Sequence, residues 1–126
     1  MSQSHVSVRY IVDDVDAAIT FYAEKLGFEV TMHPAPGFAM LTKGTLRLML
    51  NAPGAGGAGT ADRTGAVPRP GGWNRIQLPV EDITAEVARL KREGAAFRTE
   101  IVTGNGGRQA LVEDPAGNLV ELFEPK

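Results

Sequence analysis

The feature that most constrains this chain is an internal repeat. Shifted by 68 positions, Val12, Asp14, Val15, Ile19 and Tyr22 fall on Val80, Asp82, Ile83, Val87 and Leu90. Each half shows the same order of strand, helix and three further strands. A repeat of this length with matching element order points to duplication of one βαβββ unit. One such unit, about 50 residues long, buries too little surface to be stable alone. Pairing two units removes that difficulty.

The periodicities place the elements. Residues 5–12 alternate, with Val6, Val8, Tyr10 and Val12 on one face and Ser7, Arg9 and Ile11 on the other, which predicts a half-buried strand. Asp13 and Asp14 offer an N-cap. Val15, Ile19, Tyr22 and Leu26 follow at helical spacing, and Gly27 is a natural terminator, so a helix is expected over 14–26. Strands are expected at 28–33, 37–42 and 45–51, separated by turns at Pro34-Ala35-Pro36 and Lys43-Gly44. On the last of these, Thr45, Arg47, Met49 and Asn51 share a face. The second half repeats the pattern: a strand at 75–80, a helix over 82–94 capped by Asp82 and stopped by Gly94, then strands at 97–103, 108–113 and 118–123.

The last two strands flank Asp114-Pro115-Ala116-Gly117-Asn118. Pro115 presets φ for a turn, Asp114 can cap it, and Gly117 can take a positive φ. On the final strand Leu119, Glu121 and Phe123 share a face. Glu121 is thus a carboxylate set between apolar neighbours.

Between the halves, residues 52–72 are rich in Gly, Ala and Pro and hold almost nothing to bury, so a flexible linker is expected. The segment contains Gly54-x-Gly56-x-x-Gly59, the spacing of a dinucleotide fingerprint. That fingerprint needs a helix opening at the glycines. The residues that follow carry no apolar periodicity and run into Pro68 and Pro70, which argues against a dinucleotide site.

Composition narrows the function. The net charge is −2 and no basic run is present, so nucleic-acid binding has no electrostatic footprint. No apolar run approaches membrane-spanning length, and no secretory leader is evident at the start, so a membrane partner is not expected and a cytoplasmic location is. The absence of cysteine removes thiol nucleophiles and Cys-based zinc sites.

The order of elements, together with DDVDAAITFYAEKLGF near the start and LVEDPAGNLVELFEP at the end, resembles the vicinal oxygen chelate superfamily. That superfamily includes glyoxalase I, extradiol dioxygenases, and fosfomycin- and bleomycin-resistance proteins. The resemblance covers nearly the whole chain. It implies an α+β fold of two tandem βαβββ modules forming a cupped mixed sheet around a cleft. The expected domain is a single one over 1–126, built of module 5–51, linker 52–72 and module 73–125. It also implies a homodimer, with modules paired within a chain or exchanged between chains.

Metal-using members carry ligands on the first and last strand of each repeat. The positions that match here are Ser7, Arg47, Arg75 and Glu121, of which only Glu121 keeps a ligand-type side chain. Guanidinium has no lone pair and repels a cation, so neither a metal nor another cofactor is expected. His5 and His33 are expected to be surface histidines. A shifted metal pair of His5 with Glu121 is the weaker alternative.

Arg9, Arg47 and Arg75 are expected to face inward with Ser7, Met49, Gln77 and Glu121. Surplus positive charge in a partly apolar cleft suits a carboxylate or phosphate, with Trp73, Met49 and Phe123 against an apolar body. The expected function is metal-free binding of a small anionic or amphipathic molecule. The alternative is a lyase, isomerase or dioxygenase, using Glu121 as base or an unrecognised divalent metal. An Arg–Glu121 pair that is purely structural stands beside both.

Overall fold

The computed structural model describes residues 4–126. The chain divides into two compact units, Met1–Pro70 and Gly71–Lys126. Each holds one mixed sheet with a helix on one face, so the α+β class follows.

In the first unit the strands are β1 (Val6–Ile11), β2 (Glu29–Ala35), β3 (Phe38–Lys43) and β4 (Leu46–Asn51). They lie in the order β1-β4-β3-β2. β1 runs parallel to β4, and the other neighbours are antiparallel. Helix α1 (Val15–Ile19) begins at Asp14, whose side chain accepts the Ala17 N–H at 3.0 Å. Thr20–Lys25 then continues as a wider π-helical stretch. This corrects the expected apolar stripe. Val15, Ala18, Phe21, Tyr22 and Leu26 are buried, whereas Ile19 is half-buried. A regular 3.6-residue period fails through the π-helical stretch because each turn there takes more residues.

Tyr22 is fully buried and is the aromatic hub of the unit. Its ring stands edge-on to Tyr10 at 6.4 Å, Phe21 at 5.0 Å and Phe28 at 5.6 Å. Such pairs add to the area they bury because ring edges and faces carry opposite partial charge. Leu41, Leu48 and Leu50 on the helix-facing side of the sheet are fully buried, each contributing about 1.5–3 kcal/mol by leaving water.

The second unit holds β5 (Arg75–Pro79), α2 (Ile83–Arg92), β6 (Ala96–Phe97), β7 (Val102–Thr103), β8 (Gly107–Glu113) and β9 (Leu119–Pro125). The order is β5-β9-β8-β6, with β7 also on β8. β5 and β9 are parallel, as β1 and β4 are. Asp82 caps α2 by accepting from Ala85 N at 3.1 Å, and Ile83, Val87 and Leu90 form its buried stripe.

The strand expected at 97–103 is instead two short pieces. Between them Arg98 N donates to Leu111 O at 2.8 Å, while Leu111 N donates to the Thr99 hydroxyl at 3.0 Å. A side chain has replaced a backbone acceptor, which interrupts the ladder. β2 is likewise broken by two register shifts. It also runs past the expected turn at Pro34, with Pro36-Gly37 forming the turn. Both are second strands of their module at a sheet edge, where irregularity blocks unwanted pairing.

Residues 52–66 form hydrogen-bonded turns where a flexible linker was expected. Ala52 N donates to Gly37 O at 2.9 Å, Gly54 N to Gly59 O at 2.8 Å and Gly59 N to Ala55 O at 3.0 Å. Gly59 is buried, and a Cβ there would run into the backbone of Ala55. Asp62 accepts from Thr64 N, the Thr64 hydroxyl and Ala66 N, which holds its carboxyl below the usual carboxylate range. Glycine here supplies close approach rather than looseness.

Candidate functional site

On the face of the first sheet opposite α1, cross-strand register sets out three rungs. The first joins Ser7, Arg47 and Thr42; the second joins Arg9, Met49, Met40 and Met32; the third joins Ile11, Asn51 and Phe38. Residues paired across strands point to the same side, so each rung is a row of neighbouring side chains.

Arg9 and Arg47 are the two cations on this face. Arg9 Nη1 donates to Asn51 Oδ1, and its Nη2 lies 3.7 Å from the Met49 sulfur. Asn51 is buried, and its Nδ2 donates to Ala55 O at 3.4 Å, so it ties Arg9 to the loop after β4. Arg47 Nε is shielded from solvent and has no hydrogen-bond partner. Neither arginine forms an ion pair among the described residues. A cavity of about 550 Å³ adjoins Arg9, walled by Pro34, Phe38, Asn51 and the loop from Ala55 to Ala58.

In the second unit Glu121 is buried on the sheet face opposite α2, paired in register with Gln77 and Leu111. Its Oε1 accepts from Arg75 Nε at 3.0 Å and Nη2 at 2.9 Å, and its Oε2 accepts from Gln77 Nε2 at 2.7 Å. Arg75 Nη1 also donates to Trp73 O at 3.3 Å. Both carboxylate oxygens are therefore engaged. Three of its acceptor positions are taken by these donors, two on Oε1 and one on Oε2.

Trp73 is 63% exposed, with the Arg98 guanidinium 5.1 Å from its ring centre. Arg98 also reaches Glu113 at 3.2 Å. Phe123 packs over the Gly106–Gly107 turn. His5 is exposed, and His33 on β2 has Nε2 3.8 Å from Asp16.

The expected site residues thus fall into two groups. Ser7, Arg9, Arg47 and Met49 share a face of the first unit; Trp73, Arg75, Gln77, Glu121 and Phe123 belong to the second. Glu121 finds its guanidinium in Arg75. Register also corrects the assignment of repeat-related positions. Val12 N donates to Asn51 O as Val80 N does to Phe123 O, so Asn51 corresponds to Phe123 and Met49, not Arg47, to Glu121. The positions matched to the ligand strands of the family become Ser7 and Met49 in the first unit and Arg75 and Glu121 in the second. In neither unit do these side chains supply the three or more donors that a divalent cation needs. Among the described residues no cluster of three His, Asp or Glu could hold one either.

Sequence reasoning passed over Asn51, Met32, Met40 and Arg98. Asn51 was legible in principle, since it alternates with Arg47 and Met49. The roles of the other three depend on strand pairing or a long-range contact that no local pattern records.

Two βαβββ modules, each with a helix behind its sheet and polar groups on the opposite face, define a tandem-module class. The profile of the Glyoxalase/Bleomycin resistance protein/Dioxygenase superfamily matches residues 3–122, and the chain belongs to that family. Among proteins it is similar to, YwbC of Bacillus subtilis (strain 168), itself uncharacterised, is 28% identical over 120 residues, covering 90% of this chain and 91% of that protein. The crystal structure of TnmS3, an antibiotic binding protein from Streptomyces sp. CB03234, is 29% identical with a TM-score of 0.74, covering 100% of this chain and 99% of that one. A superfamily member from Sphaerobacter thermophilus DSM 20745 is 27% identical with a TM-score of 0.76, over 98% of each chain.

Proposed function

We propose that this chain binds a small anionic molecule on the sheet face of its first unit, as a binding protein rather than an enzyme. The observation that carries the reading is the pair of arginines without carboxylate partners among the described residues. Arg47 keeps a shielded Nε with no acceptor, and a buried donor left unmade is costly. A ligand carboxylate or phosphate on this face offers acceptors to the guanidinium groups and offsets their positive charge. The adjoining cavity of about 550 Å³ is the size of a small-molecule pocket. Similarity to an antibiotic-binding protein supports a binding role. On the enzyme side, the one carboxylate considered as a base is held by Arg75 and Gln77.

The reading is tested by thermal melting with benzoate, inorganic phosphate and neutral benzyl alcohol. An anion at about 100 times its Kd stabilises the fold by about 2.7 kcal/mol, a rise of several degrees. Benzoate or phosphate is expected to raise Tm, with benzyl alcohol inert. Arg47→Ala and Arg9→Ala are each expected to remove the shift while leaving Glu121 with its own partners. Equal stabilisation by benzyl alcohol, or an undiminished shift in both variants, refutes the anion site.

The protein is also proposed to act as a homodimer in the cytoplasm. Both sheets end in edge strands, and edges in native proteins are usually covered or paired. Among the described residues no helix is long and apolar enough to cross a membrane.

A further inference from the structure

Three of the four methionines in the chain, Met32, Met40 and Met49, lie on one rung across β2, β3 and β4, and the rung ends on β1 at Arg9. Nothing in the anion-binding reading requires this. Neighbouring strands are about 4.8 Å apart, so three side chains in register cover about 10 Å. That is the width of two fused six-membered rings. Met40 and Met49 are half-buried and Met32 is 48% exposed, so the row is a surface rather than core filling.

Thioether sulfur is polarisable, and its favourable contacts are with aromatic rings. A guanidinium is planar and both stacks on ring faces and pairs with carboxylate. Arg9 touches the Met49 sulfur at 3.7 Å, so the cation and the sulfur row form one continuous strip. Arg47 sits two residues before Met49 on the same face, about 7 Å along the strand. Phe38 lies on the next rung beside the cavity.

We infer that the ligand is a flat aromatic acid. Its rings lie over Met40 and Met49, and its carboxylate is shared between Arg9 and Arg47. This rests on the anion-site reading and adds the nature of the ligand body. A flexible aliphatic acid of similar carbon number would bury comparable area but would forgo the sulfur–ring and guanidinium–ring contacts.

The test compares 2-naphthoate with decanoate on the intact chain by calorimetry, and follows the methionine methyl groups by NMR after ¹³C labelling. Naphthoate is expected to bind at least about tenfold more tightly than decanoate. Ring currents are expected to move the Met40 and Met49 methyl signals upfield. Met40→Leu and Met49→Leu keep bulk and apolarity, so the variants are expected to fold and to lose severalfold of that preference. Decanoate binding as tightly as naphthoate, or unmoved methyl signals with naphthoate bound, overturns this inference and leaves the anion site standing. If neither acid binds, this inference fails, and the anion site stands or falls on the melting shift with inorganic phosphate.

Discussion

At the scale of single residues the second unit turns on Glu121. It is buried, and its three hydrogen bonds come from two side chains on the adjacent parallel strand. Removing one partner of such a pair leaves a charge without compensation, whereas replacing both by apolar groups is often neutral. The Arg75 side chain is 28% exposed, so water can reach part of the arrangement and softens the effect. Arg75→Ala is expected to destabilise the chain by about 2 kcal/mol. Arg75→Leu combined with Glu121→Leu is expected to recover most of the loss. Urea unfolding of the three proteins checks this. A double variant as weak as the single one would mean that the pair itself, not the stranded charge, holds the sheet.

At the scale of elements, the start of α2 is held from outside the helix. Glu124 on β9 accepts the Ile83 N–H at 2.9 Å and is clamped by Arg108 on β8 at 2.9 and 3.1 Å. The Arg108 guanidinium, then the Ile83 amide, lowers the Glu124 carboxyl below its ordinary value of 4.5. The folded state thus binds the proton less readily than the unfolded chain. The contribution of Glu124 is fully present above its unfolded value and is lost as pH falls through the lowered one. The stability gap between the wild type and Glu124→Gln is expected to narrow as pH falls below the ordinary carboxyl value of 4.5. A gap independent of pH would show that Glu124 acts by packing alone. The same position explains why a cap on one strand matters to a helix: it satisfies an N–H that the first helical turn cannot.

At the scale of the whole molecule, association is the property that the edges make testable. The first sheet ends in β1 and β2 and the second in β5 and β6, and edge strands in native proteins are usually covered or paired. Sedimentation at tens of micromolar is expected to give twice the mass of the 126-residue chain, since an interface of standard size holds in that range. A monomer at that concentration would refute the dimer and would leave the anion-site reading untouched.

The sequence alone determined what depends on neighbours along the chain. The repeat set the βαβββ order, and alternation set which side chains share a strand face. Asp14 and Asp82 were readable as caps, and Asp114 with Gly117 as a turn, because these act within four residues. Asp114 accepts from Ala116 N and Asn118 N, and Gly117 has a φ of 89°. What lies across strands was not readable. Pairing decided that Arg75 meets Glu121, that Met49 is the repeat counterpart of Glu121, and that three methionines form one row. The same holds for residues 52–66. Their composition signals looseness, but Gly37, Asn51 and Asp62 supply hydrogen-bond acceptors or donors that hold them in place. Periodicity reports which way a side chain points. Only tertiary pairing, set by register and by close approach between segments distant in sequence, reports what it meets.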